Sequence, residues 1–410
     1  MWKYHCPAPE MEILFLSHRI PFPPDKGDKI RSFQQVQYLA RHHNLSIVAA
    51  TEDRADLRHV PRLEEYADRV EIVPFGNAGA LMRVALAMVS GKPLSVAYFP
   101  GSQLKAAALR VAAEKRPDMV LAFSSQMAPI ALTLGVPVVL DLVDRDSVKW
   151  TQYGTRFKGL KGKLYSLEGK RLARAEEEWV RRSAVSLVVS RFERSLFDDS
   201  LKDRIRVLSN AIRIEDYPVD RAGEDDRTLL FVGALDYFPN IDAVEFFARE
   251  VLPRVLDRVP RAEFLIVGPR APARLRALHD LPGVRLAGYV QDIMAVYSRA
   301  AVSVAPFRLT QGVLNKVLEA MASGIALVAT PEAVRGIGLE DGEGVVLGTT
   351  PGELADHVVG LLRDREARQD LGRIGCRIVT ERYAWPGDMR KLDDVLEMAV
   401  NGSNPETMAE

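Results

Sequence analysis

Residues 301–330 read AVSVAPFRLTQGVLNKVLEAMASGIALVAT. Two apolar, β-branched runs, Ala301–Phe307 and Ile325–Ala329, flank a segment whose periodicity predicts a helix from about Gly312 to Ser323, with Gly324 placed to stop it. Strand, helix and strand in so short a span make a βαβ unit with a parallel pair. In open α/β sheets ligands sit beyond the carboxyl ends of strands, against helix N-termini. Gln311, Gly312 and Val313 occupy that point here.

The expected helix also has a chemical face. Gly312, Asn315, Lys316 and Glu319 recur at helical spacing, while Val313, Val317, Leu318 and Met321 supply the packing. Amides without partners at a helix start, together with the helix dipole, favour an anion. Lys316, one turn in, adds charge, and Glu319, two turns in, can accept from paired hydroxyls. That order suits a phosphate followed by a ribose. By spacing alone, an ordinary amphipathic crossover helix with a solvated polar face accounts for the pattern equally well.

Outward from this stretch the same alternation fills the chain. Glu12–Ser17 reads as a buried first strand, followed by a Pro- and Gly-rich loop, HRIPFPPDKGDK, from His18 to Lys29. A helix over Ile30–Arg41 and a strand over Leu45–Ala50 complete a second βαβ pattern. Short apolar strands follow at Val70–Val73, Met119–Ala122, Val136–Leu142 and Val185–Val189, with helices at Ala80–Val89 and Gln103–Glu114. After a polar break, Tyr217–Arg227, the pattern restarts. Strands are expected at Leu229–Val232, Ala262–Val267 and Val284–Ala287, with helices at Ile241–Arg254, Glu353–Arg363, Arg365–Arg382 and Met389–Val400. Alternation of this kind implies parallel sheets covered on both faces. The expected organisation is an N-terminal domain over 11–216, a linker over 217–227, a C-terminal domain over 228–384, and a last helix over 385–400 returning to the N-terminal domain. Two doubly wound halves imply a cleft where both sheets present their strand ends.

Composition narrows the classes. The 410 residues carry a formal net charge of +0, so no global basic character argues for nucleic acid. Cys6 and Cys376 lie far apart in sequence and suggest neither a disulfide framework nor a zinc site; a reducing cytoplasm is the expected compartment. The start, MWKYHCPAPE, lacks the apolar core of a signal peptide and reads as a ragged extension, with Met11 an alternative start. No stretch reads as a transmembrane helix, and 401–410 reads as a disordered tail.

The run GVLNKVLEAMASGIALVAT resembles the nucleotide-sugar motif of retaining glycosyltransferases of family 4. SNAIRIEDY (Ser209–Tyr217), FVGALDYFPNIDAVEFF and GYVQDIMAVYSRAAVSVAPFR are similar to other family segments, and the resemblance covers nearly the whole chain from Met11. SHRIPFPPDKGDKIRSF with DLVDRDSVKW resembles, more narrowly, the sugar transferases of bacterial exosortase (PEP-CTERM) and exopolysaccharide loci. The resemblance implies a GT-B fold, an α/β architecture of two Rossmann-like doubly wound domains facing a cleft. It implies transfer of a sugar from a nucleoside diphosphate donor to a hydroxyl acceptor with retained configuration. On it, Glu319 holds the ribose hydroxyls; Gly312, Val313 and Leu314 face the donor sugar and diphosphate; Lys316, with Asn315 beside it, lies toward the phosphates; and Gly233 ends the second domain's first strand. Gln311 stands where the family usually has a glutamate, and cannot act as a carboxylate. Where the family usually places an arginine and a lysine after the Gly233 strand, this chain has Ala234, Leu235, Asp236 and Tyr237. The charge on the diphosphate must then come from Lys316, Arg308 or Arg19.

Three further features bear on function. His18 and Arg19 end the first strand; His18 is a candidate general acid or base because an imidazole titrates near neutral pH, and Gly27 permits close backbone approach in the loop beside it. Asp141, Asp144 and Asp146 follow the Val136–Leu140 run, with Asp141 and Asp144 the candidates to orient an acceptor or stabilise charge on the transferred sugar. Asp144-Arg145-Asp146 also has the form of a metal-binding Asp-X-Asp motif, but no metal site is expected, since that motif belongs to a different transferase fold. Finally, 156–174 (RFKGLKGKLYSLEGKRLAR) reads as a basic helix with Phe157, Leu160, Leu164 and Leu167 at helical spacing. It suits either an anionic membrane surface or a solvated helix packed on the sheet by those leucines. The expected partners are a nucleotide-sugar donor as co-substrate, no other cofactor, and a glycan or lipid-linked glycan acceptor. The expected location is the cytoplasm, with peripheral contact to the inner face of its membrane. A sugar-nucleotide epimerase of the same fold, an Asp144/Asp146 metal enzyme and a degenerate transferase acting as an assembly scaffold are the alternatives.

Overall fold

Among the described residues, thirteen strands form two sheets in which every pairing is parallel. The computed structural model describes residues 10–402 apart from 218, 220 and 222, so the expectations for 1–9 and for 403–410 lie outside the described residues. β1 (Glu12–Ser17), β2 (Asn44–Thr51), β3 (Arg69–Pro74), β4 (Met119–Phe123), β5 (Val138–Val143), β6 (Val185–Val188) and β7 (Ile205–Val207) lie in the order 3-2-1-4-5-6-7. β8 (Thr228–Val232), β9 (Glu263–Val267), β10 (Val284–Gly288), β11 (Val302–Ala305), β12 (Ala326–Ala329) and β13 (Val345–Leu347) lie in the order 10-9-8-11-12-13. In each sheet the chain winds outward one way, returns to the centre and winds the other way. The reversal falls between β1 and β4 in the first sheet and between β8 and β11 in the second. Ligands of doubly wound folds bind outside the strand ends at such points.

The strands were legible because a parallel sheet covered on both faces needs unbroken apolar runs. Leu14, Leu16, Val48, Val120, Ala122 and Leu140 are buried in the first core, and Leu230, Leu265, Val267 and Ile325 in the second. β7 and β13 were not expected: three residues at a sheet edge carry no periodicity, and β13 is embedded in a Gly-rich loop.

The chain divides into two compact units, Met1–Ser209 with Met389–Glu410, and Asn210–Asp388. The helix Lys391–Asn401 belongs to the first unit, where the Tyr38 hydroxyl donates to Asp393 at 2.7 Å. The expected linker over 217–227 needs correction. Its described residues are built into the second unit: Arg221 donates to the Ala300 carbonyl at 2.6 Å, Asp225 accepts from the Thr228 amide at 2.8 Å, and the Glu224 carboxylate pairs with the buried Arg368. Arg221, Glu224 and Asp225, three of the charges that suggested a solvated connector, are paired instead.

Residues 156–174 also depart from expectation. The helix runs Gly159–Arg182 and packs on Asp146–Arg156 as an α-hairpin through glycines. A Cβ at Gly169 would lie 2.5 Å from Thr151 Oγ1, and one at Gly162 only 1.9 Å from the Phe157 carbonyl oxygen. The inward face is Gly162, Gly169, Leu172, Trp179 and Val180, so Leu160 and Leu167 do not pack on the sheet and remain exposed. Among the described residues, no helix is long and apolar enough to cross a membrane.

Candidate functional site

In the second unit the helix of the opening stretch runs Asn315–Ala322, not Gly312–Ser323. Gln311, Gly312, Val313 and Leu314 precede it as loop. Gly312 takes the left-handed conformation at φ 66°, which ends any helix-face relation with Lys316. The chemical face is therefore Asn315, Lys316 and Glu319. Asn315 Oδ1 accepts from Asn210 Nδ2 at 2.7 Å, which fixes the start of the helix.

Lys316 reaches back to the end of β8. Its ammonium donates to Asn240 Oδ1 and lies over the rings of Phe231 and Phe307, 5.0 and 4.9 Å from their centroids. Asn240 is held in turn by donating to the Ala234 carbonyl at 2.7 Å. Gly233 is the floor of this arrangement: a Cβ there would sit 2.6 Å from Lys316 Nζ and 3.0 Å from Asn240 Nδ2. Burial pulls the Lys316 ammonium down to about 7, against the opposing pull of Glu319. Burial likewise raises the Glu319 carboxyl, with Lys316 opposing. Tyr297 and Tyr217 lie against Glu319, and burial beside that carboxylate raises both phenols. Among the described residues, neither the buried Tyr297 hydroxyl nor the buried Gln311 Oε1 has a hydrogen-bond partner of good geometry.

Arg308 does not supply the free positive charge expected of it. Its guanidinium forms a two-pronged pair with Asp242, at 3.0 and 2.7 Å, over the ring of Phe246. Among the described residues, the switch-point end of β8 and β11 is left with one lysine of adjustable charge, a carboxyl little more than one turn from the loop, and the backbone of 311–314.

In the first unit, His18 sits beyond β1. Its amide donates to the Phe123 carbonyl at 3.0 Å, and its ring stacks on Phe123 with Phe99 edge-on. Nδ1 is 3.2 Å from the Ser124 hydroxyl and Nε2 is 3.4 Å from Asp28. Ser124 donates to Gln126 Oε1, whose amide donates at 3.1 Å to Asp146. A continuous polar chain thus runs from Asp28 through His18, Ser124 and Gln126 to Asp146, across the ends of β1, β4 and β5. Burial alone would raise the Asp28 carboxyl, but His18 and Arg19 together hold it well below the usual carboxylate range. Arg19 donates to Asp28 at 2.8 Å and lies 3.8 Å from Glu52, so its charge too is committed within this unit. Gly27 does not lie in a loop; it opens the helix Gly27–Leu39, three residues earlier than the Ile30 start expected.

Asp141 must be withdrawn as a catalytic candidate. It is fully buried; Arg31 grips it at 2.8 and 3.2 Å, Gln35 donates at 2.6 Å, and the Val143 amide at 3.1 Å. Every acceptor position is used, and the carboxylate ties the Gly27–Leu39 helix to β5. Asp144 remains half-buried beside Asp146, and burial with that neighbour raises its carboxyl. Asp146 is committed to Lys149, Ser125 and Gln126. Asp28, Ser124, Gln126, Asn240, Tyr217 and Tyr297 were missed as site residues. Asp28, Asn240, Tyr217 and Tyr297 stood in the quoted motifs without being singled out, and Ser124 and Gln126, outside them, meet His18 and Asp146 only through the fold.

Residues 226–364 match the family model described as Glycosyl transferases group 1, which spans most of the second unit. No curated protein matches the chain. Solved structures similar to it include Anabaena HepE in complex with UDP and glucose (TM-score 0.68, 14% identity, 95% of this chain and 100% of that one). Sucrose-phosphate synthase from Thermosynechococcus elongatus is similar at TM-score 0.71 and 15% identity, over 96% and 100% of the chains. A putative UDP-N-acetylglucosamine 2-epimerase from Listeria monocytogenes is similar at TM-score 0.57 and 12% identity, over 97% and 98%. At these identities the likeness is one of fold: GT-B, with two Rossmann-like parallel-sheet domains.

Proposed function

We propose that the chain is a metal-independent, retaining glycosyltransferase of family 4 type, acting in bacterial exopolysaccharide or other surface-glycan assembly. The observation that carries the reading is the Lys316–Glu319 face at the switch point of a domain matching the group 1 glycosyltransferase model. UDP is the first nucleotide to test, since UDP is bound in similar structures such as that of HepE.

In this reading the first amides of the Asn315–Ala322 helix and Lys316 receive the diphosphate, and Glu319 accepts from the ribose hydroxyls. As the bond from the sugar's anomeric carbon to the diphosphate breaks, Lys316 and the helix dipole stabilise the negative charge that develops. The acceptor oxygen bonds to the same carbon on the same face, and its proton passes to the departing phosphate oxygen. Tyr217 and Tyr297, packed on Glu319, hold that carboxylate in place. On the first unit, His18, Asp144 and the polar chain through Ser124 and Gln126 serve the acceptor. That acceptor is a glycan or lipid-linked glycan, with 156–174 against the inner face of the cytoplasmic membrane.

The test is a thermal-shift screen against nucleoside diphosphates and their sugars, followed by calorimetry on Glu319→Ala. A bound donor stabilises the fold by mass action, so one base should stand out. Losing a charged acceptor of hydroxyl bonds, at about 1.5–3 kcal/mol each, should weaken donor binding at least about tenfold. Unchanged affinity in Glu319→Ala removes the ribose assignment. A second reading, a sugar-nucleotide epimerase, draws on the similarity to the putative Listeria epimerase. It requires turnover of UDP-N-acetylglucosamine with no acceptor present, whereas the transferase requires one. Absence of any turnover with donors that bind would favour a scaffold role, for which Gln311 is the motive.

A further inference from the structure

The helix Asn77–Ser90 in the first unit, NAGALMRVALAMVS, is packed with its small side chains inward and its large ones outward. Ala80 and Ala87 are its buried residues. Leu81, Met82 and Leu86 are 68%, 67% and 67% exposed, Val89 is 92% and Met88 is 42%. Its one charged residue, Arg83, is turned away: the guanidinium donates to the Ala97 and Tyr98 carbonyls at 3.2 and 2.6 Å and lies over the Phe75 ring. Soluble surfaces rarely present so many large apolar side chains together.

The rim of this face is basic. Arg171, on the helix Gly159–Arg182, donates to the carbonyls of Ala87, Met88 and Lys92 at 3.1, 3.0 and 3.3 Å, so that helix abuts the end of Asn77–Ser90. On the side of the helix that carries Arg171, at three- and four-residue spacing, lie Leu160, Lys163, Leu167, Lys170 and Arg174, all exposed. The sole carboxylate between 156 and 174, Glu168, is buried and accepts from the Leu94 and Ser95 amides at 2.6 and 2.9 Å. No acidic residue occurs from Asn77 to Lys92. An apolar face bordered by lysines with no exposed acid between them complements an anionic bilayer, whose interior takes the side chains and whose headgroups take the ammonium groups. A second copy of the chain is a poor occupant, because a two-fold contact would set one basic rim against the other.

We infer that Asn77–Ser90 is a membrane-docking helix that lies in the interface of an anionic bilayer, with Leu81, Leu86 and Val89 in the acyl boundary and the lysines of 156–174 at the headgroups. The inference rests on the lipid-facing reading of 156–174 and adds the apolar element to it. It does not depend on glycosyl transfer.

Flotation of the full chain with phosphatidylcholine vesicles, with and without phosphatidylglycerol, tests it together with a polarity-sensitive label. The label is placed at Leu86→Cys or, as a control, at the exposed Tyr289→Cys, with both native cysteines replaced by serine. Binding should require the anionic lipid, and the label at 86 but not at 289 should shift to the blue and be quenched by lipid-borne quenchers. Leu81→Asp with Leu86→Asp should lower partitioning at least about 100-fold, while the melting temperature and the nucleotide response stay unchanged. Lys163→Glu, Lys170→Glu and Arg174→Glu together test the basic reading separately, through loss of the salt-sensitive part of binding. Binding that survives the leucine pair with a silent label at 86 overturns the inference and leaves a basic surface alone. Absence of vesicle binding overturns both. Self-association in sedimentation velocity that the leucine pair abolishes overturns it in favour of a second copy.

Discussion

Lys316 is a charge that donor binding should switch on. Burial brings its ammonium down to about 7, so near neutral pH the empty site holds a mixture of charged and neutral lysine. A diphosphate at Nζ favours the charged form. One charge-assisted contact of about 1.5–3 kcal/mol raises the bound-state value by roughly one to two pH units. The ligand therefore binds the protonated enzyme more tightly and takes up a proton as it binds. Donor affinity should be flat below pH 7 and fall as pH rises above it, by about 10- to 100-fold in all, before levelling at the bound-state value. Calorimetry with a nucleotide-sugar, whose diphosphate has no group titrating in this range, measures this from pH 6 to 8.5. Repeating it in buffers of different ionisation enthalpy should show uptake of roughly half a proton at pH 7. Lys316→Met should bind weakly at every pH and show neither slope nor uptake. The empty protein gives an independent check of sign. The unfolded chain holds this proton up to the ordinary lysine value, so it binds more protons than the folded chain above pH 7. Stability should rise with pH above 7 through Lys316, and that rise should be missing in Lys316→Met. Affinity that is flat across the range, or a slope that survives Lys316→Met, refutes the reasoning.

Much of the fold was legible because its signals are local. A buried parallel strand such as Glu12–Ser17 is an unbroken apolar run, and that range is the observed one. Helix ends were less legible. The Gly312 start failed because spacing cannot distinguish a helical turn from a loop that holds a left-handed glycine, and only the backbone conformation at φ 66° separates them. Residues 217–227 were misread for a related reason. Charge density marks solvent only when the charges have no partners, and the partners of Glu224 and Asp225 lie at Arg368 and Thr228. At the candidate site, Lys316 and Glu319 could be placed together from sequence because they share one helix. Asp141 could not be told from Asp144, since both come at the end of one apolar run; in the structure Asp141 lies within β5 and Asp144 just beyond it. What separates them is Arg31, 110 residues away in the chain, which with Gln35 and the Val143 amide fills the acceptor positions of Asp141, whereas Asp144 stays half-buried.

Two further outcomes follow from packing at these sites. Asp141→Ala leaves the Arg31 guanidinium buried at 1% exposure with its main partner gone, and should cost about 3–5 kcal/mol of stability, read as a lower urea midpoint at unchanged slope; a loss under about 1 kcal/mol would mean that water reaches the pair. Gly233→Ala separates the proposed donor site from the fold. The backbone at 233 is not left-handed, so alanine is tolerated locally, and the clash falls on the flexible tip of Lys316, 2.6 Å from the new methyl. The ammonium must leave Asn240 and the Phe231 and Phe307 rings, and moving toward water restores its pKa toward that of an ordinary lysine. The melting temperature should therefore change little, while donor affinity falls and its pH slope between 7 and 8.5 flattens, because the displaced ammonium is already charged before the donor arrives. If Gly233→Ala keeps both wild-type affinity and the wild-type slope, the ammonium is not the group that meets the diphosphate.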